Sequence, residues 1–200
     1  MTDQSPRVLG LVRKARVLRP RDLHAHGIPR IYLGRLAKAG KLTRISRGLY
    51  ALPEADVTEH QTLIEASKKL PNGVICLLSA LRFHDLTTAS PYEVCTAIGE
   101  KDWKPRFTYP PVRLFRFSEV TLSAGVNEHI VDNCSIRVFS AAKTVADCFK
   151  YRNKVGLDLA LEALRECWRE NRATADELWH FADLCRVKNV MRPYLEAIIQ

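Results

Sequence analysis

Pro6, Pro20, Gly27, Pro29 and Gly40 punctuate the first forty residues, so this stretch can form only short helices joined by tight turns. One continuous helix is excluded. Ser5 stands where a helix cap belongs and Pro6 at the first helical position, after which Val8, Leu11, Val12 and Ala15 recur at helical spacing up to Arg16. Val17 and Leu18 read as a short extended piece before Pro20. Arg21 to Ala25 predict a second short helix that Gly27 stops, and Pro29 opens a third that runs to Ala39 and is closed by Gly40. Two helices about a tight glycine turn spell helix-turn-helix. Lys41 to Arg44 and Gly48 to Leu52 read as two strands around Ser46-Arg47-Gly48, which makes residues 1–53 a winged helix-turn-helix.

The charge is concentrated in the same place. The 200-residue chain has a formal net charge of +9, and residues 1–53 hold twelve Lys and Arg against Asp3 and Asp22, a net +10. The remaining residues carry nineteen basic and twenty acidic side chains, a net −1. A compact module that faces a polyanion produces this asymmetry, and double-stranded DNA is the first candidate partner. A basic amphipathic segment lying on a membrane has the same sign, but the Gly and Pro breaks leave no helix long enough for it.

Pro53, Glu54, Ala55 and Asp56 turn the composition from basic to acidic and predict a boundary, with a second domain over residues 57–200. Thr58 to Leu70 fits an amphipathic helix, and Val74 to Phe83 is an apolar stretch that can be strand, helix or both in turn. Val94 to Ile98, Val112 to Phe117, Val126 to Val131 and Ser135 to Phe139 read as strands, the last two joined by a hairpin at Asp132-Asn133. Helices follow at about 141–151, 157–171, 175–187 and 191–199. Thr174 with Glu177 forms a capping box for the third of these, and Leu157, Leu161, Leu164 and Trp168 make an apolar stripe on the second. The fold class is therefore α+β: a winged helix-turn-helix followed by a mixed domain ending in several helices.

On the third helix, a projection at 100° per residue places Tyr32, Leu33, Leu36 and Ala39 toward the other helices and Arg30, Ile31, Gly34, Arg35 and Lys38 on the opposite arc. Such an arc is ordinarily just a solvated basic face. Here the helix-turn-helix, the wing and the charge segregation agree on the DNA major groove, where guanidinium groups fork onto guanine, Gly34 permits close approach and Ile31 meets a thymine methyl. Arg44 and Arg47 on the wing would hold phosphates or enter the minor groove.

The run G-I-P-R-x-Y-L-x-R-L-x-x-x-G-x-L from Gly27 to Leu42, then R-x-x-R-G-L-Y-A-L-P from Arg44 to Pro53, resembles the N-terminal domain of the AbiEi family, the antitoxins of type IV (abortive infection) toxin-antitoxin systems. S-A-L-R-F-H-D-L-T at Ser79 to Thr87 and F-S-A-A-K-T-V-A-D at Phe139 to Asp147 extend the likeness into the second domain. The resemblance implies a transcriptional autorepressor that binds inverted repeats in its own promoter and neutralises a co-encoded nucleotidyltransferase toxin. By motif position it carries a DNA-binding role onto Arg30, Arg35, Arg44 and Arg47. It assigns no antitoxic role to a particular C-terminal residue.

Enzymatic readings find little footing. Neither G-S nor D-x-D occurs, as a nucleotidyltransferase requires, and the common phosphate, zinc and nucleophile motifs are missing too. The alternatives to the antitoxin reading are a DNA-binding module fused to a nuclease-like or other catalytic domain, or a generic winged-helix repressor unconnected to a toxin. Arg82, His84 and Asp85 admit acid-base chemistry, yet a polar helix end with His84 bonded to backbone explains them as well. Lys143, Thr144 and Asp147 open a helix that Ser140 can cap and could attract an anion, although packing and capping account for them. Trp103, Lys104, Arg106, Phe107 and Tyr109 form an aromatic-basic cluster in a proline-containing loop of the kind that stacks on RNA or grips a partner. The six cysteines form no C-x-x-C pair and read as reduced, buried small hydrophobes. No cofactor or metal is expected. With no apolar run of membrane length and a polar start from Met1 to Arg7, the expected location is cytoplasmic.

Overall fold

A computed structural model describes residues 3–54 and 58–199 of the chain. Ala55 and Asp56 of the expected boundary lie outside the described residues, as does the first residue of the expected second domain. Two compact units emerge, one made of residues Met1–Pro71, Pro105–Pro110 and His129–Ile136, the other of Asn72–Lys104, Pro111–Glu128 and Arg137–Gln200.

In the first unit, α1 (Ser5–Ala15) is followed by a single 3-10 turn (His24–His26), α2 (Ile31–Lys38), the antiparallel hairpin of β1 (Thr43–Ser46) and β2 (Leu49–Ala51), and α3 (Gln61–Lys69). Val8, Val12, Leu23, Ile28, Leu33, Leu36 and Leu42 bury their side chains together, and the extended piece at Leu18 forms an isolated antiparallel bridge to Tyr50. Two local expectations are corrected. Ser5 lies inside α1 and does not cap it; the short side chain of Asp3 accepts from its N–H at 3.0 Å instead. The helix expected at Arg21 to Ala25 contracts to His24–His26 because Asp22 turns back and accepts from the N–H and guanidinium of Arg19, which holds the preceding turn out of helical form.

A five-stranded sheet has the order β5-β4-β3-β7-β6. Its strands are β3 (Val74–Ile75), β4 (Val94–Gly99), β5 (Val112–Phe117), β6 (Val126–Val131) and β7 (Cys134–Phe139), with β3 antiparallel to β4 and parallel to β7, and β4 parallel to β5. The stretch from Val74 to Phe83 is both structures in turn, since α4 (Leu77–Phe83) follows β3 at once. The helices α5 (Glu119–Ser123), α6 (Ala141–Lys150), α7 (Arg152–Val155), α8 (Leu157–Arg169), α9 (Ala175–Leu184) and α10 (Lys188–Ile199) complete the chain. Together the elements make a mixed α+β protein ending in helices.

Helix α6 sits at the centre of this core: every residue from Ala141 to Phe149 is buried, against α4, α8 and α9. Ser140 caps it by accepting from the Lys143 N–H, and Thr174 with Glu177 forms the reciprocal capping box on α9. The buried face of α8 departs from the expected stripe, for Ala160, Ala163, Leu164 and Cys167 are buried while Leu157 is 37% exposed. Small side chains on that face let α8 approach α6 closely, so the large apolar residues are displaced toward the flanks.

Candidate nucleic-acid interface

The placement of α2 begins with the turn before it. Gly27 adopts φ +66°, a left-handed conformation that ends the 3-10 turn, and its N–H donates to the His24 carbonyl. Ile28 then buries its side chain and Pro29, with no N–H to satisfy, precedes the first helical turn. Leu33 and Leu36 pack inward at 1% and 4% exposure, which fixes the rotation of the helix. Tyr32 is half-buried, while Ala39, expected on the packed side, lies beyond the helix end and is exposed.

That rotation leaves Arg30, Ile31, Arg35 and Lys38 exposed, with Ile31 at 55%. An apolar side chain set among three cations, on a helix with other uses for its leucines, offers both a contact surface and a charge. The Arg35 guanidinium lies over the Tyr32 ring at 5.7 Å from its centre, which holds it on the outer arc. Gly34 lies between them. A Cβ placed there would meet nothing within 4 Å, so the missing side chain is not imposed by packing inside this chain and leaves the helix face flat.

The hairpin supplies two further cations. Arg44 faces out of β1 opposite Tyr50, at an irregularity that shifts the register between Arg44 and Ser46. Arg47 and Gly48 form the turn, where φ +80° at Gly48 suits glycine. Among the described residues no carboxylate pairs with Arg30, Arg35, Lys38, Arg44 or Arg47. Asp22 is occupied by Arg19 at 2.7 Å; burial pushes its carboxyl up, and the Arg19 hydrogen bonds outweigh that and hold it below its ordinary value.

The structure also brings in a cation that the charge count over residues 1–53 leaves out. The Lys69 ammonium at the end of α3 donates to the Arg47 carbonyl and lies 5.6 Å from the centre of the Phe107 ring. Only the loop's aromatic-basic composition hinted at it. Elsewhere, the motif residues are occupied structurally: His84 Nε2 lies 2.7 Å from the Phe139 carbonyl, and Lys143, Thr144 and Asp147 are fully buried. No three His, Cys, Asp or Glu side chains converge as metal ligands among the described residues, and all six cysteines are buried and unbridged.

Residues 7–53 match the family model of AbiEi antitoxin transcriptional regulators. The matched segment therefore contains α1 from Arg7 onward, α2 and the hairpin, and with them Arg30, Ile31, Gly34, Arg35, Lys38, Arg44 and Arg47. Among solved structures, the crystal structure of the RV2827C protein from Mycobacterium tuberculosis superposes with a TM-score of 0.62 over 98% of this chain and 82% of that chain, at 12% sequence identity. Such a likeness speaks for the fold alone. A comparison with curated proteins returns no match. No described helix is long and apolar enough to cross a membrane.

Proposed function

We propose that this chain is a cytoplasmic DNA-binding autorepressor, its residues 1–53 a winged helix-turn-helix, and an antitoxin whose residues 57–200 counteract a co-encoded nucleotidyltransferase toxin. The observation that carries the reading is the outer face of α2, where Arg30, Ile31, Arg35 and Lys38 are exposed, the three cations with no carboxylate partner among the described residues, inside a net +10 segment matched by a regulator family. In this reading α2 enters the major groove of an inverted-repeat operator, Arg30 and Arg35 donate to guanine edges and Ile31 touches a thymine methyl. Arg44 and Arg47 on the wing grip phosphate or reach into the minor groove, which sets position more than sequence. The rest of the chain lacks the basic excess and faces a different partner, the toxin. No catalytic step is assigned to any residue.

The test is binding of the full chain to duplexes selected from a random pool, titrated against salt. Affinity should fall linearly on a log-log plot with a slope of about −0.9 for each phosphate contact. Arg35→Ala should cost about 1–3 kcal/mol on the selected operator and flatten its preference, whereas Arg47→Ala should weaken operator and random duplexes alike. Equal losses on both duplexes for Arg35→Ala would remove α2 from the recognition role.

Gly34→Ala separates stability from binding. Alanine is a better helix former than glycine by about 1 kcal/mol and meets open space at this site, so the melting temperature should rise. Operator affinity should nevertheless drop, because the added methyl stands the helix away from the base edges. A variant that melts higher and binds as well as the parent would contradict the close approach of α2.

A further inference from the structure

A groove of about 710 Å³ opens in the first unit between the tip of the β1–β2 hairpin and the loop that precedes β5. Ser46, Arg47, Lys69, Arg106, Phe107 and Tyr109 line it, and among the described residues no acidic side chain does. Three cations thus converge on one open volume with an aromatic wall. The Lys69 ammonium is pushed below its ordinary value first by burial and then by repulsion from the Arg44 and Arg47 guanidinium groups, with Glu65 opposing. Glu65 is itself buried and one of its oxygens accepts from Gln61 at 2.8 Å, so it is not free to fill the groove. An anion entering from outside would relieve the repulsion.

The position of Arg47 identifies which anion. It belongs both to the groove and to the hairpin turn, and Lys69 fixes that turn by donating to the Arg47 carbonyl while resting on Phe107. We propose that this groove is a phosphate subsite for the DNA backbone, in which Arg106 and Arg47 contact a phosphodiester and Lys69 is a positioning residue that holds the Arg47 turn. The nucleic-acid surface then extends beyond the segment matched to the family, to Lys69 at the end of α3 and to Arg106 in the loop. The proposal rests on the DNA-binding reading given above.

Fluorescence anisotropy with the full chain on operator and random duplexes, over a range of salt, tests it with Arg106→Gln, Lys69→Met and Lys69→Arg. Arg106 is exposed, so Arg106→Gln keeps the fold and should shallow the salt slope by about 0.9 while weakening both duplexes by the same factor. Lys69→Met should do the same through the displaced Arg47, and Lys69→Arg, which keeps charge and donor, should restore binding. If the parent binds duplexes and Arg106→Gln leaves slope and affinity unchanged, the subsite is refuted and the α2 reading stands. If the parent binds no duplex, both readings fall. A third arm adds inorganic pyrophosphate and ATP in a thermal-shift assay at matched ionic strength. Stabilisation of the parent that Arg106→Gln abolishes, with duplex binding untouched, would assign the groove to a free phosphate compound and overturn its assignment to DNA.

Discussion

Replacing Arg30, Arg35 and Lys38 together with alanine should lower operator affinity by about thirtyfold or more, since two lost guanine forks alone are worth about 2–6 kcal/mol. The fold should hardly notice. All three side chains are exposed and have no carboxylate partner among the described residues, and exposed substitutions of this kind stay within about 0.5 kcal/mol each. Expressed from a foreign promoter, the triple variant should still rescue cells from the toxin, because antitoxicity is proposed to reside in the part of the chain without the basic excess. Colony counts after toxin induction, with antitoxin levels matched by immunoblot, check the second half; anisotropy on the selected duplex checks the first. Loss of rescue by a variant that remains folded would tie antitoxicity to DNA binding and end the proposed division of labour.

The outer face of α2 could be read from the chain because a short amphipathic helix has one degree of freedom, its rotation, and Leu33 and Leu36 set it. Strand positions were legible for a similar reason: alternating apolar residues between turn formers leave little choice of register, and β5 and β6 span Val112–Phe117 and Val126–Val131 as expected, whereas β1 spans Thr43–Ser46 in place of the expected Lys41 to Arg44. Periodicity failed where the buried face is small. On α8 it favours Leu157 and Trp168, but close helix packing selects Ala160, Ala163 and Cys167, and no single-helix projection contains the neighbour that makes the choice. Local hydrogen bonding defeated the helix at Arg21, where Asp22 satisfies Arg19 at the expense of a helical turn. At the candidate interface, the cations on α2 and the hairpin were visible as a charge run, whereas Lys69 was not. Its role depends on α3 ending beside the Arg47 turn, a long-range contact that leaves no local pattern.

The largest stability effect should come from Lys143, which together with Asp147 is wholly buried on α6. Its ammonium lies 2.5 Å from Asp147 Oδ2 and 4.2 and 4.9 Å from the centres of the Phe139 and Phe117 rings, while the Cys185 thiol donates to the other carboxylate oxygen at 3.3 Å. Every charge in this cluster is answered by a neighbour, so removing one partner strands the other away from water. Lys143→Met should therefore cost about 3–5 kcal/mol, whereas Lys143→Met combined with Asp147→Leu, which removes both charges, should recover much of the loss. The pH dependence gives an independent sign. Burial pushes the Asp147 carboxyl above its ordinary value with Lys143 and Cys185 opposing, and without Lys143 the push is less opposed. A folded state that binds the proton more tightly than the unfolded chain gains stability as pH falls through the raised folded value toward 3.8, so the deficit of Lys143→Met should shrink in acid relative to neutral solution. Urea unfolding of parent, single and double variants at neutral and mildly acidic pH measures both effects. A single variant within about 1 kcal/mol of the parent at neutral pH, or a double variant no better than the single, would show that the pair is not what holds this part of the core together.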